Sequence, residues 1–365
     1  MFIKSLSVAN FRNYDIEFIT FSPNTNIIYG NNAQGKTNLL EAVYLFSHGR
    51  SHRAKSDTEM IRFGKPFMKL SLEFSDSVRD YNAAMQLSSN GKKQIQINNV
   101  PITKLSMLMN YLNVVMFSPE DLELVKGSPS VRRRFMDEAV SQLYPNYLSH
   151  LISYHKALAQ KNSLLKALRL TGAHTDASLS VWNEQLAGHA AVIMRFRQEF
   201  LAAMDGLAAP VHAQISRENL KLLYTPNLDC GIIEEEGFAA AIYEKLEQRQ
   251  AREIDAGSAQ YGPQRDDFRL LINENDAKTY GSQGQQRTAV LSLKIAETEY
   301  IRHVKEEYPV LLLDDIMSEL DVNRRMFLAE KIKNKQVLLT CTDSDLPAGT
   351  ENASLFYVEG GKIKR

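Results

Sequence analysis

Only two cysteines, Cys230 and Cys341, and a single tryptophan, Trp182, occur in 365 residues. The cysteines are far apart and lack metal-ligand spacing, which excludes a disulfide framework and a thiolate zinc site and fits a reducing compartment. Neither sign of charge is in excess, because 43 Lys and Arg face 43 Asp and Glu. Net charge therefore argues neither for nor against nucleic acid, and any basic surface must be a local patch. No apolar run approaches the ~20 residues that span a bilayer. Met1–Arg12 alternates like a strand and carries charge inside its apolar stretch, unlike a secretory leader. The chain is expected to be cytoplasmic, with no membrane partner. Apolar residues at 44% and charged residues at 24% are ordinary for a globular protein, and the length suits about two domains.

What is present is concentrated in one stretch. Gly30-Asn31-Asn32-Ala33-Gln34-Gly35-Lys36-Thr37 is a complete G-x-x-x-x-G-K-T phosphate loop. Asn26–Tyr29 before it reads as a short buried strand, and the segment from Thr37 and Asn38 to Phe46 reads as a helix with a broad apolar face. Glycines at both ends let successive N–H groups converge on one anion-sized hollow. The helix N-terminus adds partial positive charge, Lys36 reaches the outer phosphates, and the Thr37 hydroxyl can ligate magnesium. This chemistry predicts a bound nucleoside triphosphate, with ATP and Mg2+ as cofactors.

The first part of the chain is strand-rich. Ile3–Val8 and Lys69–Phe74 alternate apolar and polar residues, and Met85–Leu87 and Gln94–Ile97 flank the hairpin signal Asn90-Gly91. Leu112–Phe117 reads as another buried strand. Beyond Pro119, helical periodicity covers Ser130–Leu143, Asn146–Leu170, Leu179–Gln214 and Phe238–Ile254, with Pro145 and Gly172 as breaks and Pro210 as a kink or end. Strands return at Phe268–Ile272, Pro309–Leu313, Val337–Thr340 and Ser354–Val358, around a long helix near Gln285–Val304. The pattern predicts an ATPase head in two parts, residues 1–118 and 256–365, split by an inserted helical arm domain, residues 119–255.

Pro309–Asp315 is an apolar strand ending in two acids, the second element of a phosphate-loop ATPase. A carboxylate at that tip, Asp314, can hold magnesium beside Thr37, and Asp315 is placed to orient the attacking water. Ser282-Gln283-Gly284-Gln285 opens the helix before this strand, and Ser318–Asp321 follows it. A serine and glycine at a helix N-terminus form a second phosphate-binding cap. One triphosphate rarely needs two such caps, so the second is expected to serve the nucleotide of a neighbouring subunit.

These residues resemble the ATP-binding-cassette heads of the SMC and Rad50 class, and more closely the RecF family of bacterial recombination proteins. The shared runs are Asn10–Tyr14, the phosphate loop, Asn38–Ala42 and Ser51–Arg53, then Pro119-Glu120-Asp121 through Arg132-Arg133 and Phe135 to Asp137, and finally Tyr261–Asp267 and Leu311–Asp315. They span the chain. The resemblance implies an α/β fold, an ABC-type head of mixed sheet plus antiparallel lobe with a helical arm. It implies an ATP-dependent homodimer with Asp321 crossing the interface, and DNA that is single-stranded, gapped or at a junction. RecR and RecO are its implied partners, in recombinase loading, replication restart and SOS induction.

Several positions depart from the wider cassette pattern. Asp315 stands where transporters carry glutamate, Thr342 where they carry a phosphate-sensing histidine, and Gln264 where close relatives often have histidine. Ser118 falls near the glutamine-loop position, which stays unassigned. Slow hydrolysis with ATP as a clamp is expected. Arg132-Arg133-Arg134 reads equally as phosphate contact or as local pairing with Asp137 and Glu138. Arg50, His52, Arg53 and Lys55 read as a nucleotide or DNA contact or as a solvated loop, while Lys92-Lys93, Lys331, Lys333 and Lys335 read as solvated faces. Rival readings are a monomeric small-molecule kinase, a transporter ATPase subunit, and the head of another SMC-like or defence system.

Overall fold

The computed structural model describes residues 1–173, 175–231, 235–342 and 353–364. It forms two compact units. One comprises Met1–Leu122, Pro210–Arg217 and Gln283–Arg365, and the other Glu123–Ala209 and Glu218–Ser282.

In the first unit, one sheet runs in the order Lys362–Lys364, Ser354–Glu359, Thr25–Tyr29, Val337–Cys341, Val310–Asp314, Val114–Phe117. All neighbours are parallel except the first pair. Its central strands are continuous apolar runs, as expected where both faces are covered. The second sheet is antiparallel, ordered Tyr14–Thr20, Phe2–Phe11, Phe67–Ser75, Asp80–Ser88, Lys93–Ile97, Val100–Pro101. Phe67–Ser75 and Asp80–Ser88 alternate exposed and buried residues, so one face packs and the other is wet. The expected hairpin forms, with Gly91 at φ 83° supplying the left-handed turn. The helix Lys36–His48 is buried on nearly every side, and Leu39, Leu40 and Val43 share one core with Leu6, Leu70 and Leu72 of the antiparallel sheet and Leu312 and Leu338 of the parallel one.

The second unit carries helices Pro129–Leu143, Pro145–Thr171 and most of Ser178–Ser216, then Glu235–Gln248 and Gln250–Ala256. Pro145 opens a helix and Gly172, at φ 69°, caps one. Pro210 ends nothing: the helix continues to Ser216, since an internal proline removes a single i→i−4 bond. The stretch Phe238–Ile254 is two helices parted at Arg249. This unit also holds a three-stranded antiparallel sheet, Asn275–Asp276, Asp267–Ile272 and Leu220–Thr225. Because Asp267–Ile272 pairs along its whole length with Leu220–Thr225, the second unit reaches Ser282, beyond the boundary expected at residue 255.

Candidate nucleotide-binding site

The phosphate loop leaves the C-terminal end of Thr25–Tyr29, where open parallel sheets place their ligands. Gly30 has φ 144°, and a Cβ there would lie 2.3 Å from the Val358 carbonyl oxygen. Gly35, at φ 119°, is pressed against Asn13 and Tyr14, with a Cβ falling 2.7 Å from Asn13 side-chain atoms. Both positions therefore demand glycine. Ala33 also takes a left-handed φ of 63°, and Asn31, Asn32 and Ala33 form the exposed crest. Lys36 folds back over the loop, its Nζ donating to Gly30 O at 2.7 Å and Asn31 O at 2.8 Å. Burial pulls its pKa below the ordinary value, opposed by the negative charges of Asp315 and Asp314.

Asp314 is level with Thr340 on the next strand, which in turn pairs with Ile28. Asp314 Oδ1 accepts from the Thr37 hydroxyl at 2.8 Å and from the Thr340 hydroxyl at 2.7 Å. The Asp315 N–H donates to Thr340 Oγ1 at 2.9 Å, and Asp315 itself sits at φ 49°. An open cleft of about 620 Å³ is lined by these groups, by Asn32, Ala33, Gly35, Lys36, Thr37 and Asn38 of the loop and helix, and by Arg53. Magnesium suits this pair of hard oxygens. Thr37 Oγ1 and Asp314 Oδ1 stand 2.8 Å apart. That is close to the edge of roughly 3.0 Å in an octahedron with ~2.1 Å bonds. Among the described residues no cluster of three His, Cys, Asp or Glu could hold a metal by itself, so solvent and phosphate oxygens would complete the shell.

Thr340 was not foreseen. Thr342 stands at the expected sensing position, yet Thr340 lines the cleft and Thr342 does not. A hydroxyl inside the apolar run Val337–Cys341 was the available signal, because a buried threonine needs a partner. Ser118 is also outside the cleft, and its N–H donates to Asp121 Oδ2.

None of Ser282, Gln283, Gly284, Gln285 or Asp321 lines this cleft. Ser282 and Gln283 are exposed, and Gln283 begins the helix running to Lys305. Asp321 caps the helix Val322–Lys331 and is ion-paired with Arg324. Arg324 Nη2 also donates to Gly284 O at 2.9 Å, and its Nε to Thr288 Oγ1 at 2.9 Å. Arg287 reaches Glu319 O and Oε2 from the same helix. Two arginines thus lock the Ser318–Asp321 segment to the first turn of that helix, a connection that sequence spacing does not disclose.

Residues 2–364 match the family described as RecF/RecN/SMC N terminal domain. A curated relative from Ruminiclostridium cellulolyticum, named DNA replication and repair protein RecF, is 41% identical over 369 residues, covering 100% of this chain and 99% of its own. The chain belongs to the RecF family. A solved RecF structure, described as the recombination mediator protein RecF with ATPrS in the RecFOR pathway, superposes with a TM-score of 0.93 at 34% identity, covering 100% of this chain and 97% of that one. An Smc head bound to the C-terminal winged-helix domain of ScpA shares the fold, with a TM-score of 0.58 at 14% identity. The α/β cassette-type head expected from the motifs is the observed one.

In this RecF-family chain the runs Asn10–Tyr14, Asn38–Ala42 and Ser51–Arg53 form one buttress behind the phosphate loop. Asn13 Nδ2 donates to Gln34 O at 2.7 Å, the Tyr14 hydroxyl donates to Gly35 O at 3.0 Å, and Asn38 Nδ2 donates to Asn13 Oδ1. Beneath them Glu41, fully buried, accepts from Arg12 Nε and Nη2, Arg53 Nη2 and the Ser51 hydroxyl. Burial alone would push its pKa up, but the bonds from Arg12 and Ser51 and the charge of Arg53 prevail and hold it at about 2. A depressed carboxylate pKa stabilises the fold above the unfolded value of 4.5 and loses that contribution as pH falls toward about 2. The shift corresponds to about 3 kcal/mol. Glu41→Gln is expected to lose that much at pH 7 in urea unfolding and to flatten the pH dependence in this window. An unchanged acid limb would contradict the role given to Glu41.

The basic candidates divide. Arg53 lines the cleft and bonds Asn38 and Glu41. Arg134 pairs with Glu138 one turn on, whereas Arg132 forks onto Asp267 and Arg133 donates to Asp266 O. Asp137 pairs with Arg197 instead of the arginine run. Lys93 bonds Gly49 O and Asp57, and Lys335 is buried against Tyr308, so neither is a solvated face. Among the described residues no helix is long and apolar enough to cross a membrane.

Proposed function

We propose that this chain is an ATP-dependent DNA-binding protein of recombinational repair, acting as an ATP-driven dimer clamp on single-stranded, gapped or junction DNA. One observation carries the reading. The cleft is lined by the phosphate loop, the Thr37 hydroxyl and the Asp314 and Asp315 carboxylates, while the Ser282–Gln285 cap lies outside its lining. A second anion cap is useful when it closes on the triphosphate held by another copy.

Lys36 leaves the Gly30 and Asn31 carbonyls for the outer phosphates, and the N–H groups of residues 31–37 cradle them. Thr37 and Asp314 would hold a magnesium ion, which would supply charge that neutralises the phosphates. Thr340 keeps Asp314 and the Asp315 N–H in register, and Asp315 orients water. Its carboxylate is one methylene shorter than the transporter glutamate, so turnover is slow and ATP serves chiefly to hold the dimer. Asp321, fixed by Arg324, crosses the interface beside the cap. The similarity to a DNA replication and repair protein RecF and to a recombination mediator of the RecFOR pathway supports RecO and RecR as partners. Recombinase loading, replication restart and SOS induction follow from the family resemblance.

Sedimentation with ATP and a gapped duplex tests this. Wild type is expected to dimerise with ATP, whereas Ser282→Arg, which puts a bulky charge at the cap, keeps ATP binding within about threefold and stays monomeric. A wild-type monomer under saturating ATP returns the kinase reading, and a Ser282→Arg dimer removes the composite pocket.

A further inference from the structure

The Tyr261–Asp267 motif takes no part in the nucleotide cleft. In the second unit it forms a loop whose inward groups are all tied down. Gly262 has φ 125°, a Cβ there would lie 2.4 Å from the Tyr154 hydroxyl, and its N–H donates to Asn227 Oδ1. Arg197 Nη1 donates to Pro263 O at 2.7 Å. The buried Asp266 carboxylate accepts from Arg197, the Asn227 N–H and the Tyr224 hydroxyl. Gln264 accepts from the Tyr154 hydroxyl and donates to Tyr261 O.

What this scaffold turns outward is cationic. Arg265 is exposed, its Nη2 donating to Gln260 Oε1 at 3.2 Å. On one side the Arg249 guanidinium lies 4.3 Å over the Tyr261 ring. On the other, Arg133 Nη1 donates to Asp266 O at 2.7 Å. Arg265 is thus flanked along the loop by the half-buried Arg249 on Tyr261 and by the half-buried Arg133 on the Asp266 carbonyl. Asp137 and Asp266 are committed to Arg197, and Asp267 to Arg132. Among the described residues no ion pair neutralises Arg133, Arg249 or Arg265.

We propose that the Gln260–Asp266 loop, with Arg265 at its tip and Arg249 and Arg133 beside it, is a contact surface for the nucleic-acid backbone. The assignment rests on the DNA-binding function proposed above. Forked guanidiniums match phosphate oxygens, and a rigid carrier lowers the entropy lost on contact. A protein partner would call for an apolar, desolvated centre, yet among the described residues no large exposed hydrophobic side chain lies in 249–266.

The test is salt-dependent binding of a fluorescent gapped duplex by the full chain. Arg249→Ala with Arg265→Ala is expected to weaken binding about a hundredfold, roughly tenfold per charged contact. The slope of log K against log salt should flatten by about two. Arg265→Lys should retain the wild-type slope, and ATP-dependent sedimentation and Trp182 fluorescence should match wild type in all variants. A double variant with wild-type affinity and slope overturns this surface alone. Wild type that fails to bind the duplex overturns the DNA reading and this surface together. A double variant that keeps DNA but loses binding to polyglutamate reassigns the surface to an acidic protein and overturns the proposal.

Discussion

Lys36→Met is expected to weaken ATP binding by about a hundredfold or more and to abolish ATP-dependent dimerisation. The ammonium is the single side-chain cation of the phosphate loop, and it already rests on the Gly30 and Asn31 carbonyls at the loop's rim. Methionine keeps the stem, so packing under the loop survives while the charge is lost. Removing one member of a partly buried charge pair costs roughly 2–5 kcal/mol, which sets the expected loss. Fold stability should fall by only about 1–3 kcal/mol, because the buried Gly30 O loses its donor while Asn31 O lies on the exposed crest and can turn to water. Calorimetric titration with Mg-ATP reads the first effect and sedimentation the second. Affinity within threefold of wild type would show that the phosphates are held elsewhere.

The second large effect concerns Arg197, which lies far from the phosphate loop in sequence. This side chain is 2% exposed and donates to Asp137 Oδ1, the Tyr147 hydroxyl, Pro263 O and Asp266 Oδ2. Arg197→Met fills similar volume but strands two carboxylates without their cation. Breaking a buried pair in this way costs about 3–5 kcal/mol. Urea unfolding followed through Trp182, which lies in the same unit, should show the midpoint fall accordingly. Arg197→Lys should recover part of the loss, since one ammonium cannot reach four acceptors in a fixed fork. A midpoint unchanged in Arg197→Met would mean that water already relieves both acids.

The same residue explains why parts of this protein were legible and others were not. The phosphate loop, the acidic strand and the Asn90-Gly91 hairpin were readable because each depends on neighbours within about ten residues. The arginine run at 132–134 was misleading for the opposite reason. Only Arg134 found its partner one turn away, while Arg132 and Arg133 use Asp267 and the Asp266 carbonyl, more than 130 positions along the chain. Glu41 looked like one more helix residue in Asn38–Ala42, yet it anchors Arg12, Ser51 and Arg53. No periodicity marks a buried acid whose two cations come from two other segments.

Local sequence alone determined the chemistry of the cleft: glycines where φ must be positive, a lysine, a hydroxyl and two acids at a strand tip. It also determined most helices and strands, since capping and hydrophobic period act over a few residues. Tertiary structure decided that Thr340 joins Asp314, that Arg324 ties Asp321 to Gly284, and that residues 256–282 fold with the second unit. Those outcomes depend on strand pairing and buried ion pairs between distant segments, whose free energy exists only after the chain has closed on itself.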